Sequence, residues 1–365
     1  MTSPTDLDAL RRRVQQAVDG HIRGASTALA EIGDDIAPLV DSVSRLLTGG
    51  KGLRASFLYW GYRSGGGDDS DALVRLSASM EFFQAAALLH DDVMDRSDTR
   101  RGMPSAHRAV ADLHRARGWA GDGARFGEGA AILAGDLCLT WCDELYSTCG
   151  LPADELARGR GTFDLMRTQL MGGQFLDLLE SVRGWQGLDL EARIASARNV
   201  IRYKSAKYTI EHPLLIGARV GGAPETALDD LSAYGLALGE AFQLRDDLLG
   251  VYGDPEATGK PAGDDLREGK RTVLVALALE LAGEADRSVI ESLLGREDLD
   301  DTGVSRLRGI FAGSGAVARV ERMILERAAD AHAALARART RTADLDGDAL
   351  AVLDELVDAS TARHA

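Results

Sequence analysis

Leu88-Leu89-His90-Asp91-Asp92-Val93-Met94-Asp95 closes a long apolar stretch that begins near Ala72. At the helical period of 3.6 residues, Asp91 and Asp95 project from one face, while Asp92 is turned about 100° away. Like charges at that spacing repel by roughly 0.2–0.5 kcal/mol even when exposed, and by more when half-buried beside leucines. The bland alternative is a helix C-terminus running into an acidic surface loop. The chemical alternative is a cation. Magnesium takes oxygen ligands, keeps several waters, and uses one or two carboxylates together with substrate phosphates. An aspartate pair without His or Cys ligands fits that description.

Working outward, the same helical period recurs almost throughout the 365 residues. It predicts helices over about 54–63, 72–95, 130–149, 153–179, 190–220, 225–249 and 272–281, and a helical tail over 315–360. Residues 118–129, rich in glycine, read as a flexible connection. Aromatic residues make up only 5% and there are 8 prolines, which suits packed helices better than sheets. The expectation is an all-α fold, one large helical domain, with the motif-bearing core over about 49–272 and C-terminal helices over about 273–360. No internal repeat or long polar linker interrupts it.

The formal net charge is −15, from 42 basic and 57 acidic side chains. Such a field disfavours nucleic acid and anionic lipid, and any anionic substrate would need its own local cations. The cysteines are Cys138, Cys142 and Cys149, too few and too close for a disulfide framework, and read as buried thiols of a reduced, cytoplasmic protein. The first residues carry Asp6 and Asp8 with no apolar core of a signal peptide. No uninterrupted apolar run reaches the length of a membrane span, so stable membrane insertion is not expected.

A second acidic pair lies at Phe242-Gln243-Leu244-Arg245-Asp246-Asp247, again near the end of an apolar helix. Gly259-Lys260-Pro261 and Asp264-Asp265-Leu266-Arg267-Glu268-Gly269-Lys270-Arg271-Thr272 follow. Two acidic helix ends, each trailed by Arg or Lys, suit diphosphates bridged by metal ions.

Here the pattern resembles a known family. Leu88–His107 is similar to the first aspartate-rich motif of the trans-isoprenyl diphosphate synthases, and Phe242–Thr272 to the second. Gly49–Arg54 resembles the family's N-terminal Gly-Gly-Lys segment, and Tyr203-Lys204-Ser205-Ala206 its Lys-Thr motif. The four matches occur in the family's order. The flavour is that of short-chain synthases of archaeal and actinobacterial type, usually geranylgeranyl diphosphate synthases.

The resemblance implies a helical isoprenoid synthase fold, a homodimer, and condensation of isopentenyl diphosphate with an allylic diphosphate. It implies that Asp91, Asp95 and Asp246 hold three magnesium ions, with Asp92 and Asp247 supporting. Arg100, Lys204 and Lys260 would grip the allylic diphosphate, with Lys270 nearby. Lys51, Arg54, Gln84 and Arg101 would receive isopentenyl diphosphate. Ser205 and Gln243 would present oxygens to the developing allylic cation. Three positions depart from the family: Gly52 for the usual Arg, Ala55 for the usual Pro, and Gly250 for the third aspartate of many relatives.

Residues before Asp91 are expected to set product length. Ala87 and Ala86 leave room, and Phe83, one turn deeper beside Phe82, is the expected floor, with Trp141 as a contribution from a neighbouring helix; the alternative is that both phenylalanines only pack the core. That predicts a twenty-carbon product, with twenty-five carbons or more as the alternative. A terpene cyclase and a non-catalytic regulatory subunit of the same fold are the other readings. Against the first stand Asp246-Asp247 and Lys51–Arg54; against the second, the presence of both aspartate clusters.

Overall fold

The computed structural model describes residues 7–253, 263–296, 298–342 and 344–361. These form helices almost exclusively, joined by one two-stranded hairpin. They fall into two compact units, Met1–Gly159 with Gly217–Gly222, and Arg160–Ile216 with Ala223–Ala365.

The first unit is built around α4 (Asp71–Met94), which packs on α1 (Leu7–Ala30), α3 (Leu53–Ser64) and α6 (Gly123–Thr148). Ser70 caps α4 by accepting the N–H of Leu73 at 3.1 Å. The helix is apolar on most faces and buries Leu73, Leu76, Met80, Phe82, Phe83 and Leu89, as a core helix must. By length and composition it could cross a membrane, yet 72% of its most apolar window is buried within the protein.

α4 stops where Arg96 adopts φ 54°, in the left-handed region. The N–H of Ser97 donates to Asp92 O and that of Arg96 to Val93 O, the paired bonds of a Schellman cap with arginine where glycine is commonest. Asp91, Asp92 and Asp95 are thereby fixed at the negative end of the helix dipole. Anions there are disfavoured by about 0.3–1 kcal/mol each. Local physics runs against this placement.

α6 begins seven residues before the expected helix and absorbs Gly123–Gly129, which is therefore helical and not a flexible connection. Asp122 caps it by accepting from the N–H groups of Ala124 and Arg125. Glycine is needed at 127 because a Cβ there would collide with the carbonyl oxygen of His107 and stand 3.1 Å from Ala111. What read as loop glycine is helix-packing glycine.

In the second unit α10 (Glu225–Tyr252) packs on α15 (Ala316–Arg341) and on an eleven-residue π-helix, Ile201–Glu211. The π-helix interrupts the single helix expected over 190–220, leaving α8 (Leu190–Val200) before it and α9 (His212–Val220) after it. The close packing rests on small residues. A Cβ at Gly239 would stand 2.6 Å from Ala206 Cα, and one at Gly235 2.6 Å from Glu211 Cα. On α7 (Ala153–Val182), a Cβ at Gly173 would stand 2.5 Å from the backbone nitrogen of Lys204. The tail is likewise two helices, α15 and α16 (Gly347–Thr361).

Gly173→Ala tests this packing. Helix propensity alone favours alanine by up to about 1 kcal/mol. The backbone collision at Tyr203 and Lys204 outweighs it, so thermal or urea unfolding should report a net loss of about 1–3 kcal/mol. A stabilised variant would show that the approach is not tight.

Candidate active site

On α4 the half-buried positions Gln84, Ala87, Leu88, Asp91 and Asp95 follow one another along one open face, whereas Phe83 and Ala86 are sealed at 1% exposure. Trp141 meets Phe82 edge to face at 5.8 Å, and both rings meet His21 of α1. Asp92 is buried. Its carboxylate accepts from Arg100 Nε at 2.9 Å and also from Nη2, and that Nη2 stands 3.6 Å from Asp91 Oδ2. Burial of Asp92 is thus compensated by a charge-assisted pair, and Asp92 orients Arg100.

Arg100 and Arg101 are presented by a hairpin of β1 (Thr99–Arg100) and β2 (Met103–Pro104). Its two-residue turn has positive φ at both Arg101 (54°) and Gly102 (73°), as the twist of paired strands requires. Keeping arginine in that conformation is costly, and strain of this kind gathers at functional sites. His90 turns away from the aspartates. Its Nε2 meets Ile132 O at 3.1 Å, over Gly135, where a Cβ would stand 2.8 Å from His90 Cε1. That is a packing and hydrogen-bonding role.

Below the hairpin, Lys51 is exposed and Arg54 is buried in the first turn of α3. Arg101 Nη1 donates to Leu46 O at 2.8 Å and to Thr48 O at 3.3 Å. A small cleft here is lined by Gly50, Glu81, Gln84, Leu88 and Arg101. Gly52 precedes α3 with φ 63°. A side chain in that left-handed conformation is strained by about 1–2 kcal/mol. Restoring the family's usual arginine there would add charge and strain together.

In the second unit Lys204 and Ser205 sit on the π-helix, whose rare geometry is common at functional sites. Lys204 Nζ donates to Asp177 Oδ2 at 2.5 Å. Ser205 Oγ donates to Gln243 Oε1 at 2.5 Å, and Gln243 Nε2 donates to Asp247 Oδ1 at 2.8 Å. Asp246 is half-buried and Asp247 buried. Burial above all, then the neighbouring charges of Asp265 and Asp246, pushes Asp247 up to about 7, against the opposing pull of Gln243 and Lys270.

Asp265 explains Gly250. A Cβ at Gly250 would stand 2.6 Å from Asp265 Cγ, so the carboxylate of Asp265 fills the space that a side chain at 250 would need. Lys270 Nζ lies 3.1 Å from Asp265 and 2.7 Å from Glu268. Lys260 lies outside the described residues.

Sequence reasoning missed Glu81, Asp177 and Asp265 as site residues. Asp265 was visible as a second acid beside Gly269-Lys270, but Asp177 and Glu81 carried no local signal. The donor set around Asp246 and Asp247 is entirely oxygen, and its carboxylates crowd one another beyond what Lys270 offsets, which fits a hard divalent cation. Among the described residues no three acidic, His or Cys groups close a cage. Magnesium needs none, because substrate phosphates and water complete its shell.

The family model described as polyprenyl synthetase matches residues 37–309. The geranylfarnesyl diphosphate synthase of Aeropyrum pernix is 33% identical over 79% of this chain and 85% of its own length. The geranylgeranyl diphosphate synthase of Sulfolobus acidocaldarius is 30% identical over 73% and 74%. Among solved structures, a geranylgeranyl pyrophosphate synthase of Corynebacterium glutamicum, complexed with isoprenyl diphosphate and magnesium, superposes with a TM-score of 0.90. It is 37% identical and covers 98% of this chain and 100% of its own. The chain belongs to the polyprenyl synthetase family of trans-isoprenyl diphosphate synthases, and it is a prenyltransferase that elongates prenyl chains.

Proposed function

We propose that this prenyltransferase joins isopentenyl diphosphate head to tail to an allylic diphosphate and releases a twenty-carbon product. The observation that carries the reading is Arg100, set against Asp92 and 3.6 Å from Asp91 at the end of α4. Anion-binding and cation-binding groups meet there in one place, as a metal-bridged diphosphate demands.

Asp91, Asp95 and Asp246 would hold magnesium, three ions in all, with Asp92 and Asp247 in support. The metal supplies positive charge against the leaving diphosphate. Arg100, Lys204 and Lys260 grip that diphosphate, with Lys270 alongside, and Lys51, Arg54, Gln84 and Arg101 receive isopentenyl diphosphate. Ionisation of the allylic carbon–oxygen bond leaves a delocalised cation toward which Ser205 and Gln243 present oxygens. The alkene of isopentenyl diphosphate, held alongside, attacks it, and proximity supplies much of the rate. The proton is then lost to the departing diphosphate.

A homodimer is supported by exposed apolar side chains, Ile132 and Leu133 on α6 and Phe175 and Val182 on α7. A cytoplasmic location is supported by three buried cysteines outside any disulfide, Cys138, Cys142 and Cys149. Product length is proposed from Phe83, and the geranylfarnesyl synthase among the relatives keeps a longer product as the second reading.

Asp91→Ala and Asp246→Ala should each abolish turnover while leaving the helical circular dichroism spectrum intact; activity in both, across a range of magnesium concentrations, would remove the metal mechanism. Lys51→Ala should raise KM chiefly for isopentenyl diphosphate and Lys204→Ala chiefly for the allylic partner. Equal effects on both substrates would end that division. Phe83→Ala should lengthen the product and Ala86→Phe shorten it, as read by chromatography of the hydrolysed alcohols. An unchanged length in both variants moves the floor elsewhere.

A further inference from the structure

Glu81 lies on α4 one turn before Gln84, and its carboxylate is sealed inside the first unit at 7% exposure. Burial raises its pKa, while Arg54, the donated N–H of Ala55 and Arg101 each draw it back down. Oε1 is buried with no hydrogen-bond partner among the described residues. A Cβ placed on Gly50 would stand 3.4 Å from Glu81 Oε2 and 3.7 Å from Arg101 Nη2. Carboxylate, guanidinium and the Gly50 backbone therefore meet at one point, in the cleft that Gln84 also lines. From the other side the carbonyl oxygens of Leu46 and Thr48 hold the same guanidinium.

We propose that Glu81 is a positioning residue for the isopentenyl diphosphate site, holding the guanidinium groups of Arg54 and Arg101 together beside Gly50 and Gln84. This rests on the assignment of Lys51, Arg54 and Arg101 to that substrate. Three cations gathered to receive a diphosphate repel one another before it arrives, and two of them lie close to a buried surface from which water is largely excluded. A single buried carboxylate among them offsets that repulsion. A purely structural role, capping α3 through the N–H of Ala55, needs one oxygen and no charge. It leaves unexplained why an ionisable group is buried with its second oxygen unpartnered.

The two roles give opposite results. Without positioning, removing a negative charge makes the cleft more positive and tightens diphosphate binding. With positioning, the guanidinium groups separate and binding weakens. Glu81→Gln keeps the size and an oxygen for the Ala55 N–H while removing the charge. It should raise KM for isopentenyl diphosphate about tenfold, with kcat and the allylic KM within about twofold of wild type and the melting temperature little changed. A lowered or unchanged KM for isopentenyl diphosphate overturns the proposal. So does a uniform loss in kcat and both KM values accompanied by a fall in melting temperature. Should Glu81→Gln not fold, Glu81→Asp, which keeps the charge but withdraws it by one methylene, is read by the same split. Lys51→Ala, run in parallel, separates the two levels of the argument. A raised KM there with none in the Glu81 variant removes only the role of Glu81. No change in either removes the site assignment and this inference with it.

Discussion

Repulsion between like charges is the constraint that organises this protein. Its net charge is −15, two of its helix ends carry aspartate pairs, and the diphosphate substrates that its family implies are themselves polyanions. Every basic group assigned to a diphosphate must be kept near carboxylates without being consumed by them. The described structure does this with short pairings inside each unit. Arg100 is set on Asp92, Lys204 on Asp177, and Lys270 between Asp265 and Glu268. Such pairs are pre-organised, so the side chain is already ordered when an anion arrives. Asp247 is pushed up to about 7, first by burial and then by Asp265 and Asp246, so its charge is not fully compensated by Gln243 and Lys270.

A second theme is close backbone approach through glycine. Gly173 and Gly239 let α7 and α10 press on the π-helix that carries Lys204 and Ser205. Gly135 makes room for His90, and Gly250 for the carboxylate of Asp265. Gly250 looked like a missing aspartate. In the fold it is the space that lets a residue fifteen positions later put its acid in the same place.

What could be read from the sequence divides along these lines. The apolar run into Asp91-Asp92 and its echo at Asp246-Asp247 were legible because helical period and charge are local properties. So was the all-helical fold. Ser205 and Gln243 were grouped only through the family resemblance, and the hydrogen bond that joins them across thirty-eight residues was not foreseen. Helix α6 was cut short because Gly123–Gly129 reads as a loop by propensity, while Gly127 answers to His107 and Ala111, which no local window contains. The π-helix was invisible for a related reason: its extra residue per turn is imposed by packing, not by composition. Glu81 and Asp177 were missed because a lone acid on a helix looks like a solvated face until burial and its partner are known.

The central claim is that one chain binds two diphosphates and condenses them. The most direct measurement is incubation of the purified protein with magnesium, labelled isopentenyl diphosphate and one allylic primer at a time, followed by extraction and chromatography of the hydrolysed products. The account predicts labelled linear prenyl alcohols longer than the primer, dependent on both substrates and on magnesium. Unlabelled cyclic hydrocarbon made from the allylic diphosphate alone, or no incorporation of label with any primer, would contradict it.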